Sequence, residues 1–254
     1  MNIKAIINPK YAFLKDYLEK IPYRKEDLGT VIYTARNTVF KDIVSVKNDK
    51  GEQQNIELII KSFKIPPLYN RFAYTFLRHG KAQASYLNAL KLTEKGFLTP
   101  EPVACIRCYK NMLLERSYYV SLKVNGEEIR FWENIPNNER LLRALAQLMV
   151  NLHSKGVYHR DFSPGNVLFD EEMNLNLLDI NRMKFDITSH AKLMRNFQSL
   201  NESLAETLKL AKYYAEAQRS DVNVIQAEAL KAYNRYHNLR RRKQRFKKVF
   251  KALK

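Results

Sequence analysis

The sequence predicts an α+β fold in two parts, a β-rich first half carrying one helix and a mainly helical second half. Three observations predict it. Apolar runs of strand length, bounded by Gly, Pro and polar turns, fill residues 29–120. From residue 121 onward the apolar positions of the long segments recur at helical spacing. Residues 190–254 contain no proline and almost no turn signal. With 254 residues, 45% of them hydrophobic, the chain can bury one or two cores, which excludes a disordered or disulfide-stapled chain. The expected division is 1–119, 120–237 and a basic helix over 238–254.

Each element has a local reason. Gly29–Ala35 and Thr38–Val46 alternate as two strands around the turn dipeptide Arg36-Asn37. Lys47–Gln54 is a polar loop. Ile56–Phe63 is an apolar strand that stops before Pro66-Pro67. Gly80–Lys95 reads as a helix, with Ala82, Tyr86, Ala89, Leu90 and Leu92 broadly on one side. Pro102–Cys108 and Met112–Val120 form a hairpin around Tyr109-Lys110-Asn111, with a connector near 117–122. Asn137-Asn138 can cap a helix built on Leu141, Leu142, Leu145, Leu148, Met149 and Leu152. A loop, the strand VLFD, an acidic turn and the strand LNLLDI follow.

Charge is the outlying quantity. The net is +18, and residues 235–254 hold ten Lys/Arg and no acid, so the tail alone supplies more than half of it. An anionic partner is expected. The two cysteines, Cys105 and Cys108, form one C-x-x-C inside a strand-like segment, without the partners of a zinc site or the helix start of a redox motif, so they read as structural. No segment approaches the ~18 apolar residues of a membrane span, and the N-terminus lacks a secretory pattern. The expected location is the cytoplasm.

The stretch that carries chemistry is His159-Arg160-Asp161-Phe162-Ser163-Pro164-Gly165-Asn166. It has the H-R-D-x-x-x-x-N form of a phosphoryl-transfer catalytic loop. A second acid, Asp179, follows the apolar run Leu175–Leu178. In such chemistry one carboxylate, Asp161, faces the attacking hydroxyl. The amide oxygen of Asn166 and the carboxylate of Asp179 converge on magnesium, which bridges ATP phosphates. Lys61, ending the run Leu58-Ile59-Ile60, matches the strand lysine that meets the α/β-phosphates. The segment Glu115–Tyr119, with Ser117, Tyr118 and Tyr119, would offer backbone groups to adenine. His159 is expected to brace the loop and His153 to pack at a helix end.

This ordered set resembles the protein-kinase-like superfamily over roughly residues 25–185, and implies its bilobal fold. Asp179 is followed by Ile180-Asn181-Arg182 rather than Phe-Gly, and no A-P-E follows, so the full activation segment of protein kinases is missing. Only Gly29 lies near the first hairpin, so the Gly-rich phosphate loop is missing too. The segments S-P-G-N-V-L and D-I-N-R-M resemble the bacterial lipopolysaccharide kinase family that phosphorylates Kdo or heptose, as do Arg36-Asn37, Lys61-Ser62-Phe63 and Ser117-Tyr118-Tyr119. That resemblance implies ATP, Mg2+ and a sugar hydroxyl on lipid A–core. One departure stands out. The helix glutamate that pairs the strand lysine in kinases has no counterpart near Ser85–Leu87, where only Gln83 or Glu94 is at hand.

In the tail, Leu239, Phe246, Val249, Phe250 and Leu253 recur at helical spacing among Lys and Arg. That is a basic amphipathic helix suited to an anionic membrane surface. It lacks interleaved aromatic stacking positions, which argues against nucleic acid. The expected setting is peripheral, at the inner face of the inner membrane. Two alternatives stand: a soluble small-molecule kinase of the aminoglycoside or choline type, and a nucleotide-binding scaffold without catalysis.

Overall fold

The computed structural model describes residues 2–24, 27–35, 37–47, 51–63, 79–130, 138–200 and 203–252, with side chains through Phe246. The chain forms two compact units. The first comprises Met1–Asn125 with Asp179–Arg182, and the second Gly126–Leu178 with Met183–Lys254.

The first unit is built on an antiparallel sheet of six strands. These are β1 (Asn2–Ile7), β2 (Thr30–Thr34), β3 (Asn37–Lys47), β4 (Gln53–Phe63), β5 (Pro102–Lys110) and β6 (Leu113–Leu122), in the order β1-β5-β6-β4-β3-β2. Helix α1 (Lys15–Arg24) covers one face. Its Leu18 and Ile21, with Tyr11 and Leu14 just before it, join Phe40, Leu58, Ile60, Ala104, Ile106, Cys108, Tyr118 and Val120 in one buried core. These sheet residues fall at even numbers because strand side chains alternate, and Val103, at the register shift between Pro102 and Ala104, joins them as the exception. Helix α2 (Lys81–Glu94) packs on β4, β5 and β6. Its Tyr86 lies near Cys105 and Tyr119, on the opposite, odd-numbered face. Cys105 and Cys108 therefore sit on opposite faces, both buried and free. Burial pushes their thiols up to about 12 and about 11, which leaves them inert and structural.

The β-rich half with one helix gains two elements beyond expectation. Neither β1 nor α1 was legible in the sequence. NIKAII pairs with β5 from Asn2↔Tyr109 to Ile7↔Ala104. The hairpin between β5 and β6 turns on Asn111 and Met112, both at positive φ, as a two-residue turn with the right-handed strand twist demands. β6 runs on to Leu122, so the stretch expected to connect the halves is a strand. Gly29, at φ 98°, precedes β2, and a Cβ there would lie 2.3 Å from the Lys41 carbonyl oxygen. The strand-stopping Pro66-Pro67, the turn residue Arg36 and the capping Asn137 lie outside the described residues.

Among the described residues the second unit carries a small sheet, β7 (Glu127–Glu128), β8 (Val167–Phe169) and β9 (Leu175–Leu177), and four α-helices. These are α3 (Glu139–Ser154), α4 (His190–Leu193), α5 (Leu204–Gln218) and α6 (Val222–Ala252). Of the expected stripe of α3, Leu141, Leu142, Leu145, Met149 and Leu152 are buried and Leu148 is half-buried, though Asn138 makes no side-chain capping bond. α5 packs between α3 and α6. The basic segment is not a separate helix. It is the second half of α6, whose first half is anchored by Ile225, Ala229 and Ala232.

Candidate functional site

The H-R-D loop leaves α3 at Gly156, whose φ of 63° lets the chain turn back toward β8. A chain of buried hydrogen bonds holds it from behind. The Tyr214 hydroxyl meets His153 Nδ1 at 2.9 Å, and His153 Nε2 meets Asn196 Oδ1 at 3.1 Å. Asn196 Nδ2 then donates to the His159 carbonyl at 2.6 Å, and His159 Nε2 meets the Leu178 carbonyl at 2.9 Å. The Ser199 hydroxyl donates to the Phe162 carbonyl at 2.8 Å. Burial lowers the pKa of His153 to about 4, so that ring is neutral at ordinary pH. Both histidines are bracing groups, as expected.

Within the loop, Asn166 Nδ2 donates to the Asp161 carbonyl at 2.7 Å. Because a carbonyl can only accept, this fixes the amide orientation and turns Oδ1 the other way. The Leu178 amide donates to the Asn166 carbonyl at 2.8 Å, so the residue directly before Asp179 is tied to Asn166. Beside Gly165 lie the guanidinium end of Arg130 and the Glu128 carboxylate, paired with each other at 3.0 Å. Arg130 and Glu128 beside the loop were not singled out from sequence, because nothing local marks a contact 35 residues away.

Lys61 and Asp179 come together in the first unit. Lys61 Nζ donates to Asp179 Oδ1 at 2.5 Å, with the side chains 20% and 33% exposed. Asn181 Nδ2 reaches the same oxygen at 2.7 Å. Both donors take Oδ1, which leaves Oδ2 as the remaining hard oxygen. Asp179 holds φ 49°, a conformation uncommon outside glycine but accessible to aspartate. Asp161 and Asn166 meet in the second unit. Asn166 Oδ1 and an Asp179 oxygen are donors that suit a hard cation such as magnesium.

Ser117, Tyr118 and Tyr119 do not fill the role expected of them. They lie in the middle of β6, paired on one side with Phe63, Ser62 and Lys61 and on the other with Arg107, Ile106 and Cys105. All three are buried, and the sheet uses their backbone groups, so they have none to offer a base. The strand ends at Leu122, and non-ladder backbone begins at Lys123. There Glu57 receives the Lys123 ammonium at 3.0 Å, and the Glu57 carbonyl receives the Lys123 amide. Gln83, one expected stand-in for the helix glutamate, instead accepts from Arg107 at 2.7 Å.

The model of the lipopolysaccharide kinase (Kdo/WaaP) family matches residues 70–233. Over 101 residues, 38% of this chain, the sequence is 31% identical to the eIF-2-alpha kinase GCN2 of Schizosaccharomyces pombe (strain 972 / ATCC 24843). The chain spans 6% of that protein's length. Among solved structures it is similar to WaaP, seen in complex with acyl carrier protein. The TM-score is 0.56 at 16% identity, covering 91% of this chain and 99% of that one. The bifunctional kinase-methyltransferase WbdD aligns with a TM-score of 0.41 at 16% identity, over 70% of this chain and 42% of that one. The likeness to WaaP shows the fold, the α+β kinase-like fold that the sequence predicts.

Proposed function

The chain belongs to the lipopolysaccharide kinase (Kdo/WaaP) family, whose model covers residues 70–233, and from that premise we propose that it transfers the γ-phosphoryl group of ATP to a Kdo or heptose hydroxyl of the lipopolysaccharide inner core. Asp161 orients the sugar hydroxyl and takes its proton as the hydroxyl oxygen bonds to the γ-phosphorus. The bond from that phosphorus to the bridging oxygen breaks, and ADP leaves. Asn166 Oδ1 and Asp179 Oδ2 would hold magnesium, which when bound neutralises phosphate charge. Lys61 turns from Asp179 to the α/β-phosphates. The observation that carries this reading is the Lys61–Asp179 pair. The cation suited to phosphates and the carboxylate suited to the metal stand 118 residues apart in sequence and meet at 2.5 Å.

The test is transfer of labelled γ-phosphate to purified lipid A–core acceptors carrying Kdo alone or Kdo with heptose. Label in the lipid, lost in Asp161→Ala, is the expected result, and the acceptor that takes it identifies the sugar. Label only in a soluble aminoglycoside or choline would overturn the acceptor. Nucleotide binding without label anywhere would leave a scaffold.

The second half of α6 supports a membrane setting. Every residue from Asn238 to Phe246 is exposed, with Leu239 at 48% and Phe246 at 70%. Those two apolar side chains stand seven residues apart, on one face, among Arg240, Arg241, Arg242, Lys243 and Arg245. Lys and Arg near an anionic leaflet gain about 1 kcal/mol each. The helix would hold the enzyme at the inner face of a bacterial inner membrane, beside a lipid-linked acceptor. No helix among the described residues is long and apolar enough to cross a membrane.

A further inference from the structure

The missing helix glutamate leaves a mechanical problem. In kinases that residue links a helix to the strand lysine, so that the nucleotide machinery is assembled only when the helix is seated. Here α2 offers Lys61 no such partner. Gln83 is engaged with Arg107, and the Ser85 hydroxyl bonds back to the Lys81 carbonyl within its own helix. Lys61 pairs with Asp179 instead.

Helix α2 reaches the same pair by another route. Asn88 Nδ2 donates to the Ile180 carbonyl at 2.7 Å, one residue beyond Asp179. The Ile180 side chain is buried, and the turn Ile180–Arg182 packs on α2. The turn therefore groups with the β-rich unit rather than with the residues on either side of it. Leu178 and Met183 belong to the second unit, yet Asp179–Arg182 belongs to the first. Asp179 sits between these two regimes at φ 49°. Positive φ is uncommon outside glycine though accessible to aspartate, and here both neighbours are pinned. The Leu178 amide on the Asn166 carbonyl pins one side, and Asn88 on the Ile180 carbonyl pins the other.

We propose that Asn88 is a positioning residue that replaces the helix glutamate, coupling α2 to Lys61 through the Ile180 carbonyl and Asp179 rather than by a direct ion pair. The proposal rests on the kinase reading for its consequence in nucleotide binding, but not for the anchor itself. An amide donor suits this position, because a carboxylate at 88 would face the Ile180 carbonyl with a second acceptor. The coupling differs in kind from the usual one. The link from α2 is a neutral hydrogen bond to the backbone, less sensitive to salt than an ion pair, while the final step from Asp179 to Lys61 remains an ion pair.

The test uses the full chain with Asn88→Ala and Asn88→Asp. Backbone hydrogen exchange at residues 180–182, in the absence of nucleotide, reads the anchor directly. Removal of one such bond is expected to speed that exchange roughly three- to tenfold, with the rest of the β1–β6 sheet unchanged. The KM for magnesium-ATP should rise by a similar factor while the KM for the sugar acceptor stays at the wild-type value. Thermal unfolding by circular dichroism checks that both variants fold. Unchanged exchange at 180–182 would overturn the proposal and leave the kinase reading intact. Faster exchange in a protein whose wild type binds no nucleotide would keep the anchor and sink the kinase reading. Equal rises in both KM values would make Asn88 a general packing residue and overturn the coupling.

Discussion

The Asp161 half of the constellation and the Asp179 half are held by different forces. Behind Asp161 and Asn166 stands a buried chain of Tyr214, His153, Asn196 and His159, closed by bonds to backbone carbonyls. Asp179 is held by a partly exposed ion pair to Lys61 and by the Asn181 amide. The difference teaches which half is scaffold and which is exchangeable. A buried network loses the full desolvation cost when one member is removed. A partly exposed ion pair can open at small cost and give its cation to phosphate.

The largest effect should come from the chemistry itself. Asp161→Ala is expected to lower kcat by about 10²- to 10⁴-fold, the range of a positioned base, with its melting temperature near wild type. Steady-state kinetics on the lipid acceptor would check this.

Next comes the pH response of the scaffold. His153 titrates near 4 in the folded protein against about 6.5 when unfolded, because burial disfavours its charged form. The unfolded chain therefore binds the extra proton first as pH falls. Stability from this group is fully present above about 6.5 and is lost progressively down to about 4, on the order of 3 kcal/mol in all. Urea unfolding across that range should show the slope, and His153→Gln should flatten it.

Asn196→Ala removes partners from the His153 ring and the His159 carbonyl at once. It should cost about 1–3 kcal/mol of stability, measured by the same unfolding curves. At the other half, Lys61→Met should cost no more than about 1 kcal/mol of stability, yet raise the KM for magnesium-ATP. If Lys61→Met destabilised the protein more than Asn196→Ala, the contrast between the two halves would be broken. The smallest intrinsic effect belongs to the tail. Replacing Arg240, Arg241 and Arg242 by Gln should leave kcat on detergent-dispersed acceptor unchanged and weaken sedimentation with vesicles containing anionic lipid.

The fold class and the motif spacing were more legible in the sequence than the contacts around them. The H-R-D loop with Asn166, and the strand carrying Lys61, were legible because both follow from fixed local spacing. β1 was not, because NIKAII is short and its pairing partner lies about a hundred residues away. Ser117–Tyr119 misled for a different reason. A strand buried on both faces loses the polar alternation that distinguishes strand from connector. Asn88 was invisible, since its role depends on a carbonyl 92 residues distant. The second half of α6 was readable as a basic helix, but not as the continuation of a packed one.

The central claim is that Asp179 and Lys61 serve the nucleotide while Asp161 serves the acceptor. Calorimetric titration of magnesium-ATP into Asp161→Ala and Asp179→Asn, side by side with wild type, tests it most directly. The account predicts wild-type affinity in Asp161→Ala, which nevertheless does not turn over, and lost or strongly weakened binding in Asp179→Asn. Unimpaired binding in Asp179→Asn, or lost binding in Asp161→Ala, would contradict it.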